Sequence, residues 1–258
     1  MKWNGTMKSW IVSGMFIITT VCLAFTQSHP EALRIIRQME DQIRGSSSVG
    51  TFTMTIERPE YSRSISMKSW ALGDDYGLTL ITAPARDRGI AFLKRGREVW
   101  NWQPSIERVI KMPPSMMSQG WMGSDLTTDD LVRQTSITRD YIHRLKPNES
   151  FNGVPCHVIE LEPKDDAAVV WGLLLMWISE GDYLQYKTEF YDEDLKLINT
   201  IYGSEPLAVG KRKLLTRMEV IPANKPGNKT ILKYQDIQFD IQVREDFFSI
   251  QNLRRVQG

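Results

Sequence analysis

From residue 51 almost to its end, the 258-residue chain is a succession of strand-like runs punctuated by short turn signals. Thr51-Phe52-Thr53-Met54-Thr55-Ile56 sets the pattern. A strand turns successive side chains to opposite faces, so Phe52, Met54 and Ile56 share one face and the threonines the other. Further runs cover about 62–72, 76–82, 88–94, 97–103 and 106–111. Arg58-Pro59-Glu60, Gly73-Asp74-Asp75, Ala83-Pro84-Ala85 and Arg95-Gly96 separate them. Spacing this tight implies antiparallel hairpins and meanders, because parallel neighbours need a crossover of a dozen or more residues.

Strand signals resume at about 141. The run 169–178 is apolar on both faces and reads as a central strand covered on each side. Runs at 184–191 and 195–202 flank the turn Asp192-Glu193-Asp194, and runs at 214–221 and 230–241 pair across 222–227. Phe247 and Phe248 are expected to tie the C-terminus to the body. One helix precedes the strands: Pro30 suits its first position, Ser28 or His29 caps it, and Gly45 ends it. Its narrow apolar stripe is Leu33, Ile36, Met39 or Glu40, and Ile43. About a dozen strands and few helices predict a mainly β fold, a large curved antiparallel sheet or barrel. A sheet this size curls, and its concave face must be filled by helices or enclose a cavity. No linker, repeat or low-complexity tract divides residues 25–258, which read as one domain.

The strand pattern is interrupted by Met112-Pro113-Pro114-Ser115-Met116-Met117-Ser118-Gln119-Gly120-Trp121-Met122-Gly123. Connecting loops are normally polar; this one carries four methionines, a tryptophan and no charge. Methionine is unbranched and repacks readily, and Gly120 and Gly123 supply hinge freedom. The composition suggests a movable apolar cover; the alternative is an ordered loop filling a static core. Met112, Met116, Met117, Trp121 and Met122 are therefore candidate ligand-binding residues, with Trp100 and Trp102 as candidate cavity walls and Trp171 and Trp177 as similar cases. After the segment, Thr127 or Thr128 can cap a short helix whose first turn holds Asp129 and Asp130, a placement the helix dipole favours over a catalytic pair.

The N-terminus reads as a cleavable secretory signal peptide, residues 1–24. Lys2 and Lys8 precede an apolar stretch, residues 11–23, that is short for a membrane span. The alternative is an uncleaved anchor. Val21 before Cys22 is a poor fit to a lipoprotein signal. Cys156 is then the one cysteine of the mature chain and is expected to be a small buried hydrophobe. A net charge of +1 with no basic block gives no footprint for nucleic acid. His29, His143 and His157 show no metal-ligand spacing, and no Gly-x-Ser-x-Gly elbow or phosphate-binding glycine loop is present. No cofactor is expected, and no catalytic residue is assigned.

Several blocks, in order, resemble the LolA-like outer-membrane lipoprotein-sorting proteins: Pro84-Ala85-Arg86-Asp87-Arg88-Gly89, Trp100-Asn101-Trp102-Gln103-Pro104-Ser105, Met122-Gly123-Ser124-Asp125-Leu126 followed by Asp130-Leu131, Gly153-Val154-Pro155-Cys156, Glu189-Phe190-Tyr191-Asp192 and Lys229-Thr230. The resemblance implies an unclosed β-barrel of roughly eleven strands around short lid helices. It also implies a periplasmic, monomeric carrier of acylated cargo, lipoprotein or lipid, between an inner-membrane transporter and an outer-membrane acceptor. Carriers of this kind hold the lid shut with an arginine on the sheet, and Arg108 is the candidate for that role. The competing readings are a sensor or accessory module of a lipid exporter or anti-sigma system, and a hydrolase.

Overall fold

The computed structural model describes residue 1, residues 27–133 and residues 136–256. The signal-peptide reading, with Lys2, Lys8, Cys22 and Ala24, lies outside the described residues. Helix α1 (Pro30–Arg44) begins at its proline and stops at Gly45, whose φ of 61° no ordinary side chain adopts without strain. It buries Ala32, Ile35, Ile36 and Met39. The buried stripe is thus rotated from the expected one toward Ala32, whose small side chain lets the helix lie close on the sheet. His29 holds the N-cap position, one of the two expected, but makes no side-chain cap, and the Ser28 hydroxyl instead bonds the His143 ring and backbone.

Six strands follow as a meander: β1 (Ser47–Arg58), β2 (Tyr61–Leu72), β3 (Tyr76–Ala83), β4 (Ala91–Arg95), β5 (Glu98–Gln103) and β6 (Arg108–Lys111). Seven more come after residue 140: β7 (Tyr141–Phe151), β8 (Val154–Pro163), β9 (Leu173–Ser179), β10 (Gln185–Tyr191), β11 (Leu197–Val209), β12 (Arg212–Pro222) and β13 (Lys229–Phe239). All thirteen form one sheet in the order β6-β5-β4-β3-β2-β1-β13-β12-β11-β10-β9-β8-β7. The antiparallel, unclosed architecture is the expected one, with thirteen strands in place of roughly eleven. Two meanders are joined along a seam between β1 and β13.

The apolar run at 169–178 is only partly strand. Pairing begins at Leu173, while Val169, Val170 and Trp171 leave the sheet and pack on the α1 core. Gly172 marks the departure: a Cβ there would lie 2.4 Å from the Asp192 carbonyl oxygen, so the chain passes under the β10–β11 turn only as glycine.

The inner face carries two apolar clusters. Helix α1 packs on Tyr141, Ile159, Leu161, Leu174, Met176 and Ile178 of β7–β9. On the other wing Met54, Ile56, Ile65, Met67, Ile81 and Phe92 of β1–β4 pack against the segment after β6. The outer face has its own core: Leu78, Leu80, Ala91 and Leu93 lie under Phe248 and Leu253, the latter in the short helix α2 (Ile250–Leu253). The C-terminal anchoring by Phe247 and Phe248 is as the sequence leads one to expect. Cys156 is fully buried beside Val158 and Trp177.

A covered cavity on the inner face of the sheet

Strands β6 and β7 are the two edges of the sheet, and residues 112–140 connect them. This connection crosses the open side of the molecule, so it has to cover the inner face. The methionine-rich composition follows from that position. Met117 (4% exposed) and Trp121 (2%) are buried among Met54, Met67, Phe92 and Leu232, with Met112, Met116 and Met122 packed at their margin. The Phe92 and Trp121 rings are 5.5 Å apart.

The segment is folded upon itself by backbone bonds from Trp121 N to Leu126 O (2.8 Å), Thr128 N to Gln119 O (2.9 Å) and Asp129 N to Met117 O (3.0 Å). Gly120 allows close approach, since a Cβ would sit a tight 3.0 Å from the Ser124 carbonyl; Gly123 is required for its φ of 80°. Thr127 and Asp130 cap one another, each side chain accepting the other's backbone N–H at 3.1 and 2.7 Å. The acids expected to start a helix therefore do so, over the π-type turn Asp129–Arg133. The second Asp130 oxygen accepts the Trp171 indole N–H at 2.8 Å. Burial, the largest influence, raises the Asp130 carboxyl to about 6, against the opposing effect of these hydrogen bonds.

Arg58, at the end of β1, fastens the Gly123–Asp125 part of this cover to the sheet. It donates to Asp125 Oδ2 (2.9 Å), to the Gly123 carbonyl (2.8 Å) and to the backbone of Glu57 and Lys229. The Asp125 carboxylate, 2% exposed, also accepts from the Thr230 hydroxyl at 2.6 Å, and the Asn199 amide donates to the Asp125 carbonyl at 2.8 Å. A buried ion pair holds only when its remaining hydrogen-bonding capacity is met, and here three strands meet it. Arg108 is exposed at the start of edge strand β6, away from these contacts.

Between α1, the cover and the sheet lies a cavity of about 330 Å³. Phe52, Met67, Phe92, Trp121, Leu126 and Trp171 form part of its apolar wall. The Trp121 indole N–H is buried with no acceptor among the described residues. Of the candidate residues, Trp121 and Trp171 line the cavity. Met112, Met116, Met117 and Met122 sit one layer back, holding the cover to the sheet. Trp100 and Trp102 point the other way. They pack with Leu93 and Ala91 in the outer-face core, because Val99 and Asn101 take the inward positions of β5. Trp171 lines the cavity, whereas Trp177 lies on the outer face, its N–H bonded to Glu149 at 2.8 Å.

The cavity also has a charged end, at the C-terminus of α1 and the β2–β3 turn, which sequence reasoning missed. Glu40, Arg44, Asp74 and Lys94 line it. Lys94 is 6% exposed, and burial, reinforced by the positive charge of Arg44, lowers its pKa to about 8 while Asp74 and Asp75 oppose the shift. The inward alternation of β4 could have found Lys94, which shares a face with Phe92.

His143 is fully buried, its ring bonded to the Ile137 carbonyl (2.7 Å) and the Ser28 hydroxyl (2.9 Å); His157 contacts Asn148. Among the described residues no group of three His, Cys, Asp or Glu is arranged to hold a metal.

An unclosed antiparallel sheet with a helix and a covering segment on its inner face, enclosing an apolar cavity, defines the LolA-like fold. Residues 73–255 match a family model described as "Uncharacterized protein"; the match spans more than half of the chain, which belongs to that family. Solved structures of the same fold include a domain described as an outer membrane lipoprotein-sorting protein from Vibrio parahaemolyticus. It is 24% identical, with a TM-score of 0.78, covering 87% of this chain and 99% of that one. A DUF1329 family protein from Desulfovibrio piger is 20% identical (TM-score 0.80; 88% and 100% covered). A LolA superfamily protein from Nitrosomonas europaea is 24% identical (TM-score 0.76; 86% and 98% covered). At these identities the likeness is one of fold. No curated protein sequence matches the chain.

Proposed function

We propose that this protein is a non-enzymatic periplasmic carrier, exported by a cleavable signal peptide of residues 1–24. As one domain and one monomer, it binds the acyl part of a lipoprotein or lipid and moves it between the inner and outer membranes. An inner-membrane transporter and an outer-membrane acceptor are the expected partners. The observation that carries this reading is the apolar cavity closed by a segment that joins the two sheet edges and is fastened through Arg58.

An acyl chain costs about 0.8 kcal/mol per CH₂ to expose to water, so a sixteen-carbon chain needs on the order of 12 kcal/mol of shelter. A cavity returning all of that as affinity would not release its cargo. A cavity of about 330 Å³ is at the small end for ligand sites. A whole chain enters only by displacing part of the cover, so net affinity is the difference between two burials. Trp121 offers a buried N–H to a carbonyl on the cargo.

The test is native mass spectrometry with lipid extraction on protein purified from its own compartment. An acyl-bearing molecule should copurify. Protein that is repeatedly empty, and also takes up no fluorescent lipid, sinks the reading.

A further inference from the structure

A buried indole N–H ordinarily finds an acceptor, since it is the only polar atom of its side chain. Trp171 and Trp177 follow the rule, donating to Asp130 and Glu149 at 2.8 Å each. Trp121 does not: it is 2% exposed, and its N–H is buried with no acceptor among the described residues. Polar side chains of the same cavity wall are occupied elsewhere. One Asp130 oxygen takes the Trp171 N–H and the other the Thr127 backbone N–H, while the Ser69 and Thr79 hydroxyls bond one another at 3.0 Å. The Phe92 ring, 5.5 Å away and tilted by 55°, offers only the weak acceptor of an aromatic face. An unpaired buried donor is costly, and a phenylalanine at this position would close the wall without that cost.

We infer that this donor is a recognition group: the cavity takes a chain bearing a neutral acyl carbonyl, ester or amide, in preference to an alkyl ether of the same length, and Trp121 is the residue that tells them apart. This rests on the carrier reading and specifies the linkage its cargo carries.

The position of the indole suits a linkage within the chain. Trp121 lies against Phe92, which pairs with Thr79; Ser69 and Gly50 continue that row across β2 and β1, and Ala71 and Gly77 stand in the next. All of these line the cavity. The donor therefore stands where large side chains give way to small ones, with floor space for a hydrocarbon chain beside it. Met67, Phe92 and Leu126 share the wall with it. An ionised acceptor would have to shed its water among these apolar groups, whereas a carbonyl carries no net charge and costs far less to bury. An ether oxygen is a poorer acceptor. Cargo that satisfies the N–H removes a cost the closed cover otherwise bears, so the cover holds an acyl chain more firmly than an alkyl chain.

The experiment compares methyl dodecanoate, N-methyl dodecanamide and dodecyl methyl ether, below their aggregation limits, as ligands of the purified protein and of Trp121→Phe. Binding is read by displacement of an apolar fluorescent probe. The substitution keeps an aromatic ring and removes the donor. The smaller ring alters the fit of all three ligands alike, and differences in their hydration cancel, so the readout is the change in the ester-to-ether and amide-to-ether affinity ratios. Each ratio should fall about ten-fold in Trp121→Phe, the loss expected when a buried hydrogen bond is removed. In the wild type, ester and amide should move the Trp121 indole proton resonance downfield, and the ether should leave it near its position in the ligand-free protein. Ratios unchanged by the substitution, or an indole resonance that responds alike to ester and ether, overturn the inference and leave the carrier reading standing. A fall in only one of the two ratios supports it and identifies the linkage taken. Failure of all three ligands to bind overturns the carrier reading itself. The indole resonance decides the question even if Trp121→Phe fails to fold.

Discussion

At the scale of residues, the molecule depends on polar groups placed where apolar ones are the rule. Arg58 and Asp125 are 67 positions apart, and nothing in the sequence pairs them. The resemblance called for an arginine on the sheet, and Arg108 was nearest in sequence to the cover. The fold places Arg58 there instead, because the β1–β2 turn and the cover reach the same end of the sheet. Asp130 is a second case. Its carboxyl is raised to about 6 from an ordinary 3.8, so folding favours the protonated form. Its contribution to stability is full below about pH 4 and is lost as pH rises through about 6, a swing of up to roughly 3 kcal/mol. Asp130→Asn removes this slope, while its amide oxygen can still accept from Trp171. Urea unfolding at pH 4.5 and pH 7 should show the variant gaining on the wild type at the higher pH. The lost Thr127 contact is a constant offset that does not change with pH. A wild-type–variant difference independent of pH would refute the assignment.

At the scale of elements, the strands were legible because alternation and turn residues report directly on pairing. The first six boundaries are accurate to within a few residues for that reason. The inward or outward sense of each strand was less so. Alternation in β5 separates Val99 and Asn101 from Trp100 and Trp102 but does not say which pair faces inside. The outer-face core under Phe247, Phe248 and α2 decides it, and two phenylalanines near a C-terminus do not announce which face they cover. The methionine-rich stretch was recognisable as a cover; its division into Trp121 at the cavity and Met117 behind it was not. This division has opposite consequences for two substitutions. Met117→Ala should lower stability by about 2–4 kcal/mol and loosen the cover, accelerating release of a bound apolar probe. Trp102→Ala should lower stability by a similar amount, about 3 kcal/mol, and leave probe affinity and release unchanged. Denaturant midpoints and stopped-flow release rates separate the two; altered release in Trp102→Ala would contradict the assignment of that side chain to the outer face.

At the scale of the whole molecule, the two meanders meet only along β1 and β13. β1 is the first strand in the chain and β13 the last. The pairs they make, such as Thr53 with Lys233, join positions roughly 180 apart, whereas every other strand pairs with its neighbour in sequence. Each meander can begin to form as soon as its own residues are present. The seam cannot, and until it closes β1 and β13 (or β12, while β13 has yet to arrive) present bare edges with an open inner face between them. Strand edges left bare invite pairing with other chains. A chain shortened before residue 229 should therefore associate, seen as larger species in size-exclusion chromatography, rather than persist as a partly folded monomer; a stable truncated monomer would refute this. The seam also orders events for a chain threaded through a membrane N-terminus first. The strand that completes the sheet is among the last segments to emerge, so the cavity cannot take shape until nearly all of the polypeptide has arrived. If the chain is exported and binds lipid as proposed, the order of the strands alone delays filling until nearly all of it has arrived.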